Sequence, residues 1–121
     1  MTNTAAMPLQ TVRETLHLLG YINSRYGRAD RAIGYFQLMT VIDAGNPVAW
    51  RALATIQLTL DQNPQALASA EKALELGVDP NERSLCQLVR AIATRRLGDP
   101  AESDKAAAEY LKERRATVEE M

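Results

Sequence analysis

One cysteine and one histidine in 121 residues set the first exclusions. Cys86 alone cannot build an internal disulfide framework, and with His17 as its only companion it falls short of an ordinary Cys/His zinc site. That usage fits a reducing compartment. Fourteen Lys plus Arg against fifteen Asp plus Glu leave a formal charge of -1. There is thus no basic field to attract nucleic acid and no acidic block of the kind found in disordered tails. No uncharged apolar run approaches the roughly eighteen residues of a membrane span. The opening MTNTAAMPLQTVRE has neither the basic start nor the continuous apolar core of a secretory signal. These absences predict a soluble, cytoplasmic protein without membrane insertion. Gly-rich phosphate loops, paired carboxylates and metal-ligand spacings are missing too, so no catalytic residue, metal or cofactor is expected and an enzyme is the least favoured class.

The most regular punctuation is a dipeptide, which occurs as Asn46-Pro47, Asn63-Pro64, Asp79-Pro80 and Asp99-Pro100. Asn and Asp accept hydrogen bonds from the free N–H groups of a first helical turn, and proline there loses no donor that the helix would use. Each pair therefore marks a helix start, and Asp30 marks a weaker one. Between the marks apolar residues recur at three and four positions, as in Ala32, Phe36 and Met39, or Ala66, Ala70, Ala73 and Leu74. Six helices follow, over about 9–26, 30–44, 47–60, 64–77, 80–97 and 100–117, and the short links make successive helices antiparallel neighbours. The expectation is a single all-α domain over 9–118, with a flexible tail at 1–8 and a short one at 119–121.

Glycine is used where helices ought to resist it: Gly20, Gly27 and Gly34 fall within fifteen positions, each costing about 0.5 to 1 kcal/mol inside a helix. A repeat explains two of them. Leu19-Gly20 followed by Ala32 and Phe36 matches Leu53-Ala54 followed by Ala66 and Ala70, a step of 34 residues. Aligning Gly98-Asp99 with Gly27-Arg28 places a third copy, with Ala91 at the Gly20 position after a step of 37. Arg90 then falls where leucine is expected, and a shift of one or two residues is also compatible. Gly27 and Gly98 serve the turns between paired helices, whereas Gly34 has no place in this scheme.

The pattern resembles the tetratricopeptide repeat, in which W-x2-L-G-x2-Y is followed by A-x3-F and P. The first copy carries Leu19-Gly20 and Ala32-x3-Phe36, and the second carries Trp50-x2-Leu53 and the small residues; neither has the tyrosine or proline in place. The resemblance implies three tandem hairpins, at about 13–46, 47–80 and 84–117, in a short right-handed α-solenoid. Small residues at Gly20, Ala54 and Ala91 would face Ala32, Ala66 and Ser103, and the first helix of each hairpin would line a concave peptide-binding groove. By position that groove holds His17, Tyr21, Ser24 and Arg25, then Arg51, Thr55, Leu58 and Thr59, then Leu85, Leu88, Ile92, Arg95 and Arg96. It would be apolar with a basic fringe, Arg25, Arg51 and Arg95 orienting the bound segment.

Read as residues alone, His17 is a solvated or core imidazole without a catalytic companion, and Cys86 a small buried apolar side chain. Arg95-Arg96 reads as solvated helix surface. Tyr21, Leu58, Leu88 and Ile92 can belong either to the core or to a groove. The Lys, Asn and Arg that clamp an acidic chaperone C-terminus in some relatives are replaced by His17, Tyr21, Ala52, Leu85 and Val89, which argues against a co-chaperone of that kind. In length and in the ordering LHLLGYINSRYGRADRAIGYFQ to AAAEYLKE the chain is similar to the small tetratricopeptide chaperones of type III secretion systems, the YscY-type most of all. That likeness implies a protein partner, a small secreted export subunit presenting a helical or extended segment. A scaffold that self-associates through Tyr110 and Leu111, giving a homodimer, is the alternative.

Overall fold

A computed structural model describes residues 8–119. It contains six helices and no strand among the described residues: α1 Leu9–Arg25, α2 Ala29–Ile42, α3 Pro47–Thr59, α4 Asn63–Leu76, α5 Pro80–Arg96 and α6 Pro100–Glu119. The chain is all-α, with element ends within two residues of those predicted. Of the two expected tails, residues 1–7 and 120–121 lie outside the described residues; Pro8 precedes α1, and α6 takes in Glu119.

The Asx-Pro marks act as the chemistry requires at three of four places. The Val48 N–H donates to Asn46 Oδ1 at 3.0 Å, the Glu82 N–H to Asp79 Oδ1 at 2.9 Å, and the Glu102 N–H to Asp99 Oδ1 at 3.3 Å. Asn63 differs. Its helix begins at Asn63 itself with Gln62 as the flanking residue, and the Asn63 amide donates sideways to Asp61 Oδ1 at 3.0 Å. Asp30 likewise sits in the first turn of α2, after a start at Ala29.

The turns inside the hairpins are three copies of one structure. Residues 27, 61 and 98 have positive φ, at 73°, 61° and 83°. In each copy three N–H groups reach back by four, three and five residues. Tyr26, Gly27 and Arg28 donate to Ile22, Ser24 and Asn23; Leu60, Asp61 and Gln62 to Ile56, Leu58 and Gln57; Leu97, Gly98 and Asp99 to Ala93, Arg95 and Thr94. This is the Schellman closure of a helix, in which a left-handed residue lets two amides satisfy carbonyls that the helix leaves open. The spacings are 34 and 37, the same steps that align the sequence, so the 37-residue step sets the register of the third copy. Only the middle copy places a side chain on the left-handed residue, Asp61.

Helices pair as α1 with α2, α3 with α4 and α5 with α6, and the hairpins meet in series through α2 with α3, α4 with α5 and α3 with α5. One core cluster joins hairpins one and two through Leu16, Phe36, Met39, Ala52, Leu53 and Ile56. A second joins two and three through Ala54, Ala66, Ala70, Ala73, Cys86 and Val89. Small side chains dominate the second, so its helices pack closely; the Ser103 hydroxyl donates to the Ala91 carbonyl at 2.7 Å across the third hairpin. Gly20 is buried, and the atoms nearest to it are those of the Phe36 ring. A Cβ on Gly20 would lie 2.5 Å from Phe36 Cζ. Nothing lies within 4 Å of a Cβ placed on Gly34.

Candidate functional site

By repeat position His17, Arg51 and Leu88 are equivalent, as are Tyr21, Thr55 and Ile92 one turn further, and the structure brings the α1 and α3 members together. Between α1 and α3 this produces a cleft of about 370 Å³. His17, Tyr21 and Ser24 line it from α1, Arg51, Ala52, Thr55 and Ile56 from α3, and Phe36 from α2. Buried Phe36, Ala52 and Ile56 supply an apolar lining, while Tyr21 remains 53% exposed at the edge. Five of the residues expected in a groove therefore meet in one concavity.

His17 is half-buried, its ring edge-on to Phe36 with centroids 6.0 Å apart. Burial lowers its pKa below 6.5, the nearby Arg51 guanidinium lowers it further, and Glu82 partly opposes both. At neutral pH the imidazole is neutral, offering one N–H donor and one acceptor to a bound group. Arg51 is engaged by Glu82 at the start of α5, with Nε donating to Oε2 at 2.5 Å and Nη2 to Oε1 at 3.2 Å. Both side chains of this fork are mostly buried, so the pair braces hairpin two against hairpin three. Cys86 is fully buried, and burial, reinforced by Glu82, pushes its thiol up to about 11. It is a packing residue without thiolate character at neutral pH.

The remaining groove residues divide. Leu88 and Ile92 are half-buried and Leu85 is 43% exposed along α5. Leu58 is half-buried and packs against the second core cluster. Thr55 and Thr59 donate their hydroxyls to the carbonyls of Arg51 and Thr55, both at 3.1 Å. The basic fringe is largely engaged within the chain. Arg95 pairs with Asp104 of α6 at 3.2 Å. The Arg96 Nη1 donates to the Leu58 carbonyl at 3.0 Å and to Asn63 Oδ1 at 3.3 Å, beside Asp61 at 3.6 Å. With Arg51 held by Glu82, three of the four fringe arginines brace neighbouring elements, and Arg25 alone is exposed without an ion pair among the described residues.

Sequence reasoning missed the cleft's apolar lining and the counter-charge of Arg51. Phe36, Ala52 and Ile56 belong to the first core cluster as well as to the cleft. Glu82 lies 31 residues from Arg51 and carries no local sign beyond an acidic residue in a first helical turn. A wider depression of about 490 Å³ on α6, lined by Ala108, Leu111, Lys112, Arg115 and Ala116, is built from one helix and has no second wall to enclose a ligand. No protein-family model matches the chain, and the search of curated proteins finds nothing similar to it.

Proposed function

We propose that the protein is a non-enzymatic binding module of the tetratricopeptide type. Its three hairpins form a short right-handed solenoid that holds a helical or extended segment of a protein partner in the cleft between α1 and α3. The observation that carries this reading is the cleft itself, whose apolar lining lies between the first helices of successive hairpins beneath polar edges at His17, Ser24 and Thr55. Such a surface exchanges water for an amphipathic segment, each Å² of apolar area removed from water contributing about 25 cal/mol. The neutral His17 fixes orientation through directional hydrogen bonds rather than charge.

The sequence resemblance extends the proposal to the partner. It is a small export subunit of a type III secretion system, kept in the cytoplasm from self-association until it is handed on. Co-expression with such subunits followed by pull-down of the tagged chain tests this. The wild type captures its subunit, and Tyr21→Glu combined with Thr55→Glu loses it, since both side chains are exposed and the charges enter the cleft without disturbing the core. Undiminished capture by the double variant rejects the cleft as the binding surface.

A further inference from the structure

The two ends of the hairpin series carry the two halves of a contact that the chain already makes twice internally. On α3, Ala49, Ala52, Leu53 and Ile56 belong to the first core cluster, facing the preceding hairpin. On α5, Cys86 and Val89 stand 37 residues beyond Ala49 and Ala52 and do the same in the second cluster. The matching positions on α1, 34 residues earlier, are Thr15, Leu18, Leu19 and Ile22. Three of them are open: Thr15 is exposed, Leu18 is 56% and Ile22 42% exposed, while Leu19 is half-buried. At the other end, Leu74 of α4 packs against the second cluster, while its counterpart Leu111 on α6 is 54% exposed, with Val118 two turns on at 62%.

We propose that these faces mate between copies of this chain, α6 of one molecule receiving α1 of the next, so that the hairpin series continues across molecules. The occupant is argued from the internal junctions: a first helix of this chain already covers the Leu74 position of α4, and α1 presents the corresponding face. Such a contact is heterologous and does not close on itself, so it generates open chains. It is more polar than the internal junctions. Thr15 stands where Ala49 and Cys86 are buried, and Asp104 stands where Ile33 and Leu67 are partly covered. Association is accordingly reversible and concentration-dependent.

Sedimentation of the purified protein over a wide concentration range tests the proposal. The wild-type mass is expected to rise from 13.4 kDa without levelling at two chains. Leu18→Glu and Leu111→Glu each stay monomeric with unchanged helical circular dichroism, because each has lost one face. Mixed in equal amounts, they form a two-chain species and nothing larger, since each supplies the face the other lacks. If Leu111→Glu loses helix, Val118→Glu replaces it on the same face. A wild type that stays at 13.4 kDa throughout overturns the proposal. So does a closed dimer that Leu111→Glu abolishes and Leu18→Glu leaves intact, or a mixture that remains monomeric.

Discussion

Gly20 and Phe36 divide one volume between them. The ring lies where a side chain on Gly20 would begin, and both residues are buried. One repeat later the same two positions are Ala54 and Ala70, both fully buried, so there each helix contributes a methyl where in the first hairpin one contributes a ring and the other nothing. Replacing Gly20 by Ala should destabilise the protein by about 1–3 kcal/mol through overpacking, although removing a glycine from a helix is by itself favourable by about 0.5–1 kcal/mol. Gly34→Ala, with open space around it, should show that gain. Phe36→Ala leaves a cavity, and the double variant with Gly20→Ala rebuilds the Ala–Ala arrangement, so its cost should be below the sum of the two singles by about 1 kcal/mol or more. Urea denaturation of the four proteins measures this. A Gly20→Ala protein as stable as Gly34→Ala would mean that the ring moves aside at no cost.

At the scale of the helix, the Asx-Pro signal does two different jobs. Asn46 and Asp79 cap their helices, whereas Asn63 lies inside α4 and uses its amide on Asp61 and its oxygen on Arg96. Arg96 meanwhile reaches the carbonyl of Leu58, which also accepts the Asp61 N–H at the end of α3. Asn46→Ala and Asp79→Ala should each cost about 1 kcal/mol. Asn63→Ala removes only exposed hydrogen bonds and should cost clearly less. Thermal or chemical unfolding of the three variants ranks them, and an Asn63 effect equal to the others would place the α4 start one residue later.

For the whole molecule, the consequence is a pH dependence centred on the junction of hairpins one and two. His17 has its folded-state pKa below 6.5 because it is half-buried beside Arg51. Its contribution to folding is therefore complete above 6.5. As pH falls from there through the folded-state value, the unfolded chain takes up the proton first and stability declines. Between about pH 7 and about pH 5 the unfolding midpoint should fall more steeply for the wild type than for His17→Gln. Parallel slopes would assign the dependence to the carboxylates. Because His17 lines the cleft, the same titration weakens capture of a partner that relies on the neutral ring.

Helix bounds, turn positions and the 34- and 37-residue steps were legible along the chain because each rests on local chemistry. Asn or Asp before proline, glycine at a left-handed turn and apolar residues at three and four act within a few residues of themselves. The middle turn shows where such reading thins out, for Asp61 adopts the left-handed conformation without glycine to announce it. The cleft was half legible. Its polar edges follow from repeat position, but its lining consists of residues that also fill the core, and only distance in space separates the two roles. The engagement of Arg51 by Glu82, of Arg96 by the α3–α4 turn, and of Gly20 by the Phe36 ring arises only once the helices have met. Those contacts depend on how closely and at what level neighbouring helices pack, a quantity set by all the side chains between them and by none of them singly.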